Sequence, residues 1–160
     1  MNKNTSYVTK GAIIAALYVV LTMISTAAGM SSGVIQIRIS EALCILPVFT
    51  PAAVPGLFVG CIIANIMSGC LPWDVVFGSL ATLLGAIGTA KLRNTKYLCL
   101  APPIISNTLI VPWVLSLVYH FEGSILYFSL TVFIGEFVSA GILSYMLKRL
   151  IEKRGNTIDW

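Results

Sequence analysis

Long apolar stretches dominate this 160-residue chain and leave only short polar connections between them. The chain is 58% hydrophobic and 10% charged, whereas soluble domains usually carry about 25% charged residues. A soluble fold of this length has a single core and could not bury so much apolar surface, so much of that surface must face lipid. The sequence therefore predicts an all-α integral membrane protein with one domain over residues 1–160.

Polar connections divide the chain into six apolar stretches, and we expect each stretch to be a membrane-spanning helix. The second stretch is short for a membrane helix, so the sequence leaves open whether it crosses the whole bilayer. The predicted architecture is a six-helix membrane bundle. Its expected spans cover residues 11–29, 34–49, 52–68, 74–90, 97–119 and 124–147.

Basic residues gather in the termini and in the short connections. Six spans put both termini on one side of the membrane, and every basic residue except Arg38 then shares that side. Because short loops rich in Lys and Arg stay in the cytoplasm, we expect both termini to be cytoplasmic. This distribution accounts for the net charge of +4 without a nucleic-acid partner. The residues on the shared side are Lys3, Lys10, Lys91, Arg93, Lys96, Lys148, Arg149, Lys153 and Arg154.

Arg38 and Glu41 are two opposite charges inside an otherwise apolar stretch. Three residues apart on a helix, they would project from one face. A charged side chain at the centre of a membrane helix costs about 2.5–3.5 kcal/mol on insertion scales, so this pair needs a specific role. We expect a role in binding; an ion pair at a helix end, with the arginine reaching towards the interface, is the alternative.

Three further polar residues lie within the apolar stretches. Glu136 has no basic neighbour in its own stretch, so it should be protonated, paired or binding a ligand. Asn65 and Asn107 could line the same cavity or form hydrogen bonds between helices. If Glu136 and Glu41 meet Arg38 in one outward-facing cavity, two carboxylates and one guanidinium would suit a flat ligand rich in N–H groups. We therefore predict a binding cavity formed by these five residues.

Several catalytic and metal-binding patterns are absent from the sequence. It contains no GxxxxGK[ST] phosphate loop, no HExxH, no GxSxG and no clustered metal ligands. We therefore expect no enzymatic activity, no cofactor and no metal. Any energy-driven transport would have to be powered by a partner or by an ion gradient.

The chain resembles the QueT family of substrate-binding S components of energy-coupling factor (ECF) transporters. The resemblance lies in RISEALCILPVFTPAAVPGLFVGCIIAN (residues 38–65) and FGSLATLLGA (residues 77–86). It continues through APPIISNTLIV (residues 101–111) and IGEFVSAG (residues 134–141), and thus covers nearly the whole chain.

The resemblance implies a six-helix S component in the cell membrane of a prokaryote. Such a protein captures a scarce nutrient outside the cell and associates with a membrane scaffold subunit and two cytoplasmic ATPases. S components of this class dock against the scaffold through an AxxxA-like motif on the first helix. Ala12 and Ala16 match that motif, and Ala15 lies beside them.

The resemblance also implies a substrate class, namely a precursor of queuosine. The expected ligands are 7-cyano-7-deazaguanine, 7-aminomethyl-7-deazaguanine and queuine. A carboxylate can accept two N–H hydrogen bonds from the edge of a guanine-type base. The sequence does not decide which carboxylate would make that contact.

Three alternatives stay open at this point. The chain could be an S component for another vitamin, because a fold does not determine its ligand. It could be a small ion- or proton-coupled carrier that uses Glu136 as its titrating group. It could also be an assembly protein whose buried charges only specify packing.

Overall fold

The computed structural model describes residues 3–30, 35–118 and 123–155, and every regular element in these ranges is helical. The α-helices are α1 (Lys3–Ala27), α2 (Ala53–Met67), α3 (Pro72–Lys91), α4 (Ala101–Leu117), α5 (Ile125–Glu136) and α6 (Ser144–Lys153). Between them lie a long 3-10 helix (Ile39–Val48), a short 3-10 turn (Leu98–Leu100) and a π-helix (Phe137–Leu143).

Four helices in the described ranges are long and apolar enough to cross a membrane. They are Lys3–Ala27, Pro72–Lys91, Leu98–Leu117 and the continuous helix Ile125–Lys153. The stretches expected as the second and third spans form shorter apolar helices of 10 and 15 residues. At about 2.0 and 1.5 Å per residue these extend only about 20 and 23 Å, less than a hydrocarbon core of about 30 Å. The count of six spans therefore stays a prediction.

The second apolar stretch differs most from the expected helix over residues 34–49. Residues 36–38 are outside any helix, Arg38 has an extended backbone, and the 3-10 helix begins at Ile39. Pro47 lies inside this helix, where it supplies no backbone N–H and restricts the residue before it. At the helix start, the backbone N–H of Glu41 donates to the backbone oxygen of Arg38 at 3.1 Å. Arg38 precedes the first helical residue instead of lying within a regular α-helix.

Close backbone approach brings this stretch against the last long helix. A Cβ atom added at Gly135 would lie 2.2 Å from the backbone oxygen of Gln36. Segment 36–38 thus crosses α5 at a point where a side chain would collide with it. The same helix changes to π geometry directly after Glu136.

Helices α1 and α2 also pack at a small residue. A Cβ atom added at Gly60 would lie 2.9 Å from the Cβ atom of Tyr18 and 3.0 Å from the Cα atom of Ala15. Small residues permit such close contacts between membrane helices. The contact places the Tyr18 side of α1 inside the bundle.

Lys148 ties the end of α6 to the connection between α3 and α4. Its side chain is 6% exposed, and its Nζ atom donates hydrogen bonds to the backbone oxygens of Lys96 (3.0 Å) and Thr95 (3.4 Å). The end of α6 and this basic connection therefore lie at the same end of the bundle. Lys148 itself is a buried structural cation, although the sequence groups it with the basic tail.

Candidate functional site

Arg38 links three segments that are far apart in sequence. Its Nη1 atom donates to Asn65 Oδ1 on α2 at 3.2 Å, and its backbone N–H donates to Ser139 Oγ in the π-helix at 3.2 Å. Asp74 in the first turn of α3 is close enough to act on the charge of Arg38. The extended backbone of residue 38 therefore places one guanidinium between α2, α3 and the last helix.

Glu41 is enclosed by protein donors. It is 2% exposed, and the Tyr18 hydroxyl of α1 donates to its Oε1 atom. The Cys44 thiol donates to its Oε2 atom at 2.9 Å, and Ser144 Oγ donates to its backbone oxygen at 3.2 Å. Both carboxylate oxygens are therefore engaged by side chains of the protein itself.

A polar stripe on α1 supports this arrangement and was missed by the sequence analysis. Thr22 Oγ1 donates to Ser40 Oγ at 2.8 Å, and the backbone N–H of Ile39 donates to Ser25 Oγ at 2.9 Å. Together with Tyr18, these residues recur at spacings of four and three, which is one face of a helix. Hydroxyl groups at that spacing in an apolar span were the signal that could have identified the stripe.

Glu136 and Asn107 lie next to each other, from α5 and α4. Glu136 is within range of the charges of Glu41 and Arg38, and the Asn107 amide lies beside its carboxyl group. Asn107 is 4% exposed. The Asn107 side chain is a hydrogen-bond partner of the Glu136 carboxyl group, whereas Glu136 Oε2 is buried without a partner among the described residues.

The five predicted binding residues lie within hydrogen-bonding or electrostatic range of one another. Asn65, which is 1% exposed, contacts Arg38 directly. Arg38 and Glu41 lie near Glu136, and Asn107 lies beside it. With Asp74, the group holds one guanidinium and three carboxyl groups. Carboxyl oxygens accept hydrogen bonds from ligand N–H groups.

Metal coordination is not indicated by the described part of the chain. Within it, no group of three or more His, Cys, Asp or Glu side chains has an arrangement that could hold a metal ion.

The three alanines expected at a docking face divide into two sets. Ala12 and Ala16 are exposed on α1. Ala15 is buried and packs against α2 at Gly60. The outward-facing small residues are therefore Ala12 and Ala16, whereas Ala15 belongs to the contact between α1 and α2.

The family model of the QueT transporter matches residues 8–153. The chain belongs to the QueT transporter family. The resemblance found in the sequence is thereby confirmed, and the matched range contains all the predicted binding and docking residues. This family membership agrees with the apolar, all-helical character of the described residues.

A curated relative carries the same family name. The chain is 40% identical over 86 residues to the queuosine precursor transporter QueT of Lactococcus lactis subsp. cremoris (strain MG1363). The aligned segment covers 52% of this chain and 50% of the relative, so the match spans about half the length of that protein. No solved structure matches the chain at a significant level.

Proposed function

We propose that this chain is the substrate-binding S component of an ECF transporter that imports a queuosine precursor. The observation that carries the proposal is the group of one guanidinium and several carboxylates inside an apolar bundle of the QueT family. Ionisable residues at membrane depth are costly and usually mark a substrate pathway. The name of the curated relative supports the substrate class.

The chemistry of a 7-deazaguanine fits such a group. The ring is planar, and one edge presents a ring N–H and an exocyclic amine, which carboxylates accept well. A 7-aminomethyl substituent would add a cation that can pair with a carboxylate of this group. The substrate class therefore includes 7-aminomethyl-7-deazaguanine and queuine, with 7-cyano-7-deazaguanine as the uncharged member.

Transport in this mechanism requires partner subunits. The ligand enters from the outer face and is enclosed at the level of Arg38 and Glu136. The loaded protein docks through the Ala12 and Ala16 face of α1 onto a membrane scaffold subunit. Two cytoplasmic ATPases bound to that scaffold supply the energy for release into the cytoplasm of a prokaryotic cell.

Ligand analysis tests the proposal directly. We expect protein purified in detergent from cells supplied with queuine and its precursors to retain a 7-deazapurine that mass spectrometry identifies. An unrelated membrane protein from the same cells is the control and should retain none. Calorimetric titration should then show saturable binding of the retained compound. A different retained vitamin, or no binding of any 7-deazapurine, would contradict the substrate class.

A proton-coupled carrier is the second candidate, because Glu136 Oε2 is buried without a partner among the described residues. The two candidates differ in their need for partners. An S component in liposomes should import ligand only with the scaffold and the ATPases, whereas a carrier should respond to a pH gradient alone. Uptake by the isolated chain under a pH gradient would favour the carrier.

A further inference from the structure

We propose that Glu136 and Asn107 together recognise the hydrogen-bonding edge of the ligand, and that Glu41 is a structural carboxylate. This assignment rests on the proposed function and deepens it, because it names the contacts that select the substrate. It decides between two carboxylates that the sequence leaves equivalent. It also assigns specificity to a pair of residues on α4 and α5.

Glu41 is enclosed by protein groups. Its two carboxylate oxygens accept from Tyr18 and Cys44, and its side chain is 2% exposed. Tyr18 belongs to α1, so the carboxylate fastens the 3-10 helix (Ile39–Val48) to α1. Because Glu41 is 2% exposed, a ligand could reach its carboxylate only by separating α1 from this 3-10 helix.

Glu136 Oε2 is a buried acceptor without a hydrogen bond among the described residues. The Asn107 side chain is a hydrogen-bond partner of the same carboxyl group, and its NH2 group has two N–H donors. An unsatisfied buried polar group costs about 1–3 kcal/mol, so Glu136 Oε2 calls for an explanation. A ligand N–H satisfies Oε2, and a neighbouring ligand carbonyl accepts the Asn107 N–H that does not face Glu136.

The hydrogen-bonding groups of this pair indicate the chemical class of the ligand. A cyclic amide places a carbonyl oxygen next to a ring N–H, which complements an amide donor beside a carboxylate. An exocyclic amine on the next ring carbon gives the carboxylate a second hydrogen bond, in the two-point geometry typical of charge-assisted contacts. Guanine-type rings have all three groups, hypoxanthine-type rings lack the exocyclic amine, and adenine-type rings lack the carbonyl and the ring N–H.

Glu136 lies at the junction between α5 and the π-helix. It ends α5, and the π-helix begins at the next residue. π-Helical turns are rare and are frequently found at functional sites. Within this turn Ser139 is anchored by the backbone N–H of Arg38 at 3.2 Å. The Glu136 carboxylate therefore projects from a helix whose position relative to Arg38 is fixed. Selective recognition requires such preorganisation.

The experiment compares two glutamate variants on two ligands. Binding of 7-deazaguanine and of 7-deazahypoxanthine, which lacks the exocyclic amine, is measured by calorimetry on the full chain in detergent. We expect wild-type protein to prefer 7-deazaguanine by about 10-fold or more, since one charge-assisted hydrogen bond is at stake. Glu136→Gln should weaken 7-deazaguanine binding by about 10- to 100-fold and bring the preference close to one. Glu41→Gln should lower the melting temperature and keep the preference.

Asn107→Ala provides a second variant, because it removes the donor to the ligand carbonyl. It should weaken both ligands by a similar factor and leave the preference between them intact. If Glu136→Gln does not fold, Glu136→Asp replaces it, because it keeps the carboxyl group but withdraws it by one methylene. Loss of the preference in Glu136→Asp, with the preference kept in Glu41→Gln, supports the assignment, and the reverse result contradicts it.

Three outcomes would overturn the assignment. Equal binding of the two ligands by wild-type protein would show that the exocyclic amine of the ligand makes no selective contact with Glu136. Loss of the preference in Glu41→Gln but not in Glu136→Gln would assign recognition to the other carboxylate. Failure of wild-type protein to bind any 7-deazapurine would remove the proposed function itself, and with it this assignment. The first two outcomes leave the proposed function standing, so the two failures are distinguishable.

Discussion

At the scale of single residues, Tyr18 supplies a hydrogen bond that stabilises the buried carboxylate of Glu41. It is fully buried, and its hydroxyl donates to Glu41 from a helix 23 residues earlier in the chain. A buried charge without hydrogen-bond donors would be far more costly than the paired one. Tyr18 therefore stabilises Glu41 and, through it, the position of the 3-10 helix (Ile39–Val48).

We expect Tyr18→Phe to destabilise the protein by about 1–3 kcal/mol, because it removes a donor from a buried carboxylate oxygen. Thermal unfolding in detergent measures the change. Tyr7→Phe is the matched control, since Tyr7 is exposed and its hydroxyl only reaches the Pro51 backbone oxygen at 3.4 Å. Equal melting temperatures of the two variants would show that the contact with Glu41 contributes little.

At the scale of elements, segment 36–38 and the last helix form the central contact. Gly135 lets the backbone of Gln36 approach α5, and Ser139 accepts from the backbone of Arg38 one turn later. The contact determines where the guanidinium of Arg38 lies relative to Glu136. A change in this backbone contact should therefore alter the site without touching a charged residue.

Gly135→Ala tests the contact between these elements. An added Cβ atom would lie 2.2 Å from the Gln36 backbone oxygen, so segment 36–38 must shift. We expect a lower melting temperature and weaker ligand binding. Gly141→Ala is the control in the same helix, because its nearest contact would be an ordinary 3.5 Å to Ile104. A Gly135→Ala variant that behaves like Gly141→Ala would mean that the approach is not needed for binding.

At the scale of the whole molecule, α1 has two different faces. One face carries Tyr18 and Ala15 into the bundle, and the other exposes Ala12 and Ala16. An exposed pair of small residues one turn apart allows another membrane helix to approach closely. Under the proposed function, this outer face is where the scaffold subunit docks.

We expect Ala12→Leu and Ala16→Leu to abolish co-purification with the scaffold subunit while ligand binding is retained. Ile24→Leu, at an exposed position of the same helix away from the Ala12 and Ala16 face, should leave the complex intact. Ala15→Leu should instead lower stability, because overpacking a filled contact typically costs about 1–3 kcal/mol. Complex formation by the Ala12 and Ala16 variants would exclude this face as the docking site.

The candidate site was only partly predictable from the sequence. Charge in an apolar setting singled out Arg38, Glu41 and Glu136, because such residues are rare at membrane depth. The sequence spacing also predicted that Arg38 and Glu41 form a pair on one helix face. The structure instead gives each its own partners, Asn65 for Arg38 and Tyr18 with Cys44 for Glu41. These partners escape pattern analysis because they come from other segments.

The sequence by itself determined that this protein is a helical membrane protein of the QueT family, since an apolar chain in lipid must satisfy its backbone hydrogen bonds within helices. Tertiary structure alone decided which buried polar groups have partners. Arg38 and Asn65 are 27 residues apart, and Arg38 and Ser139 are 101 residues apart. Such contacts depend on how closely the helices pack and where the 3-10 and π turns redirect the backbone, and neither property is encoded in a local pattern.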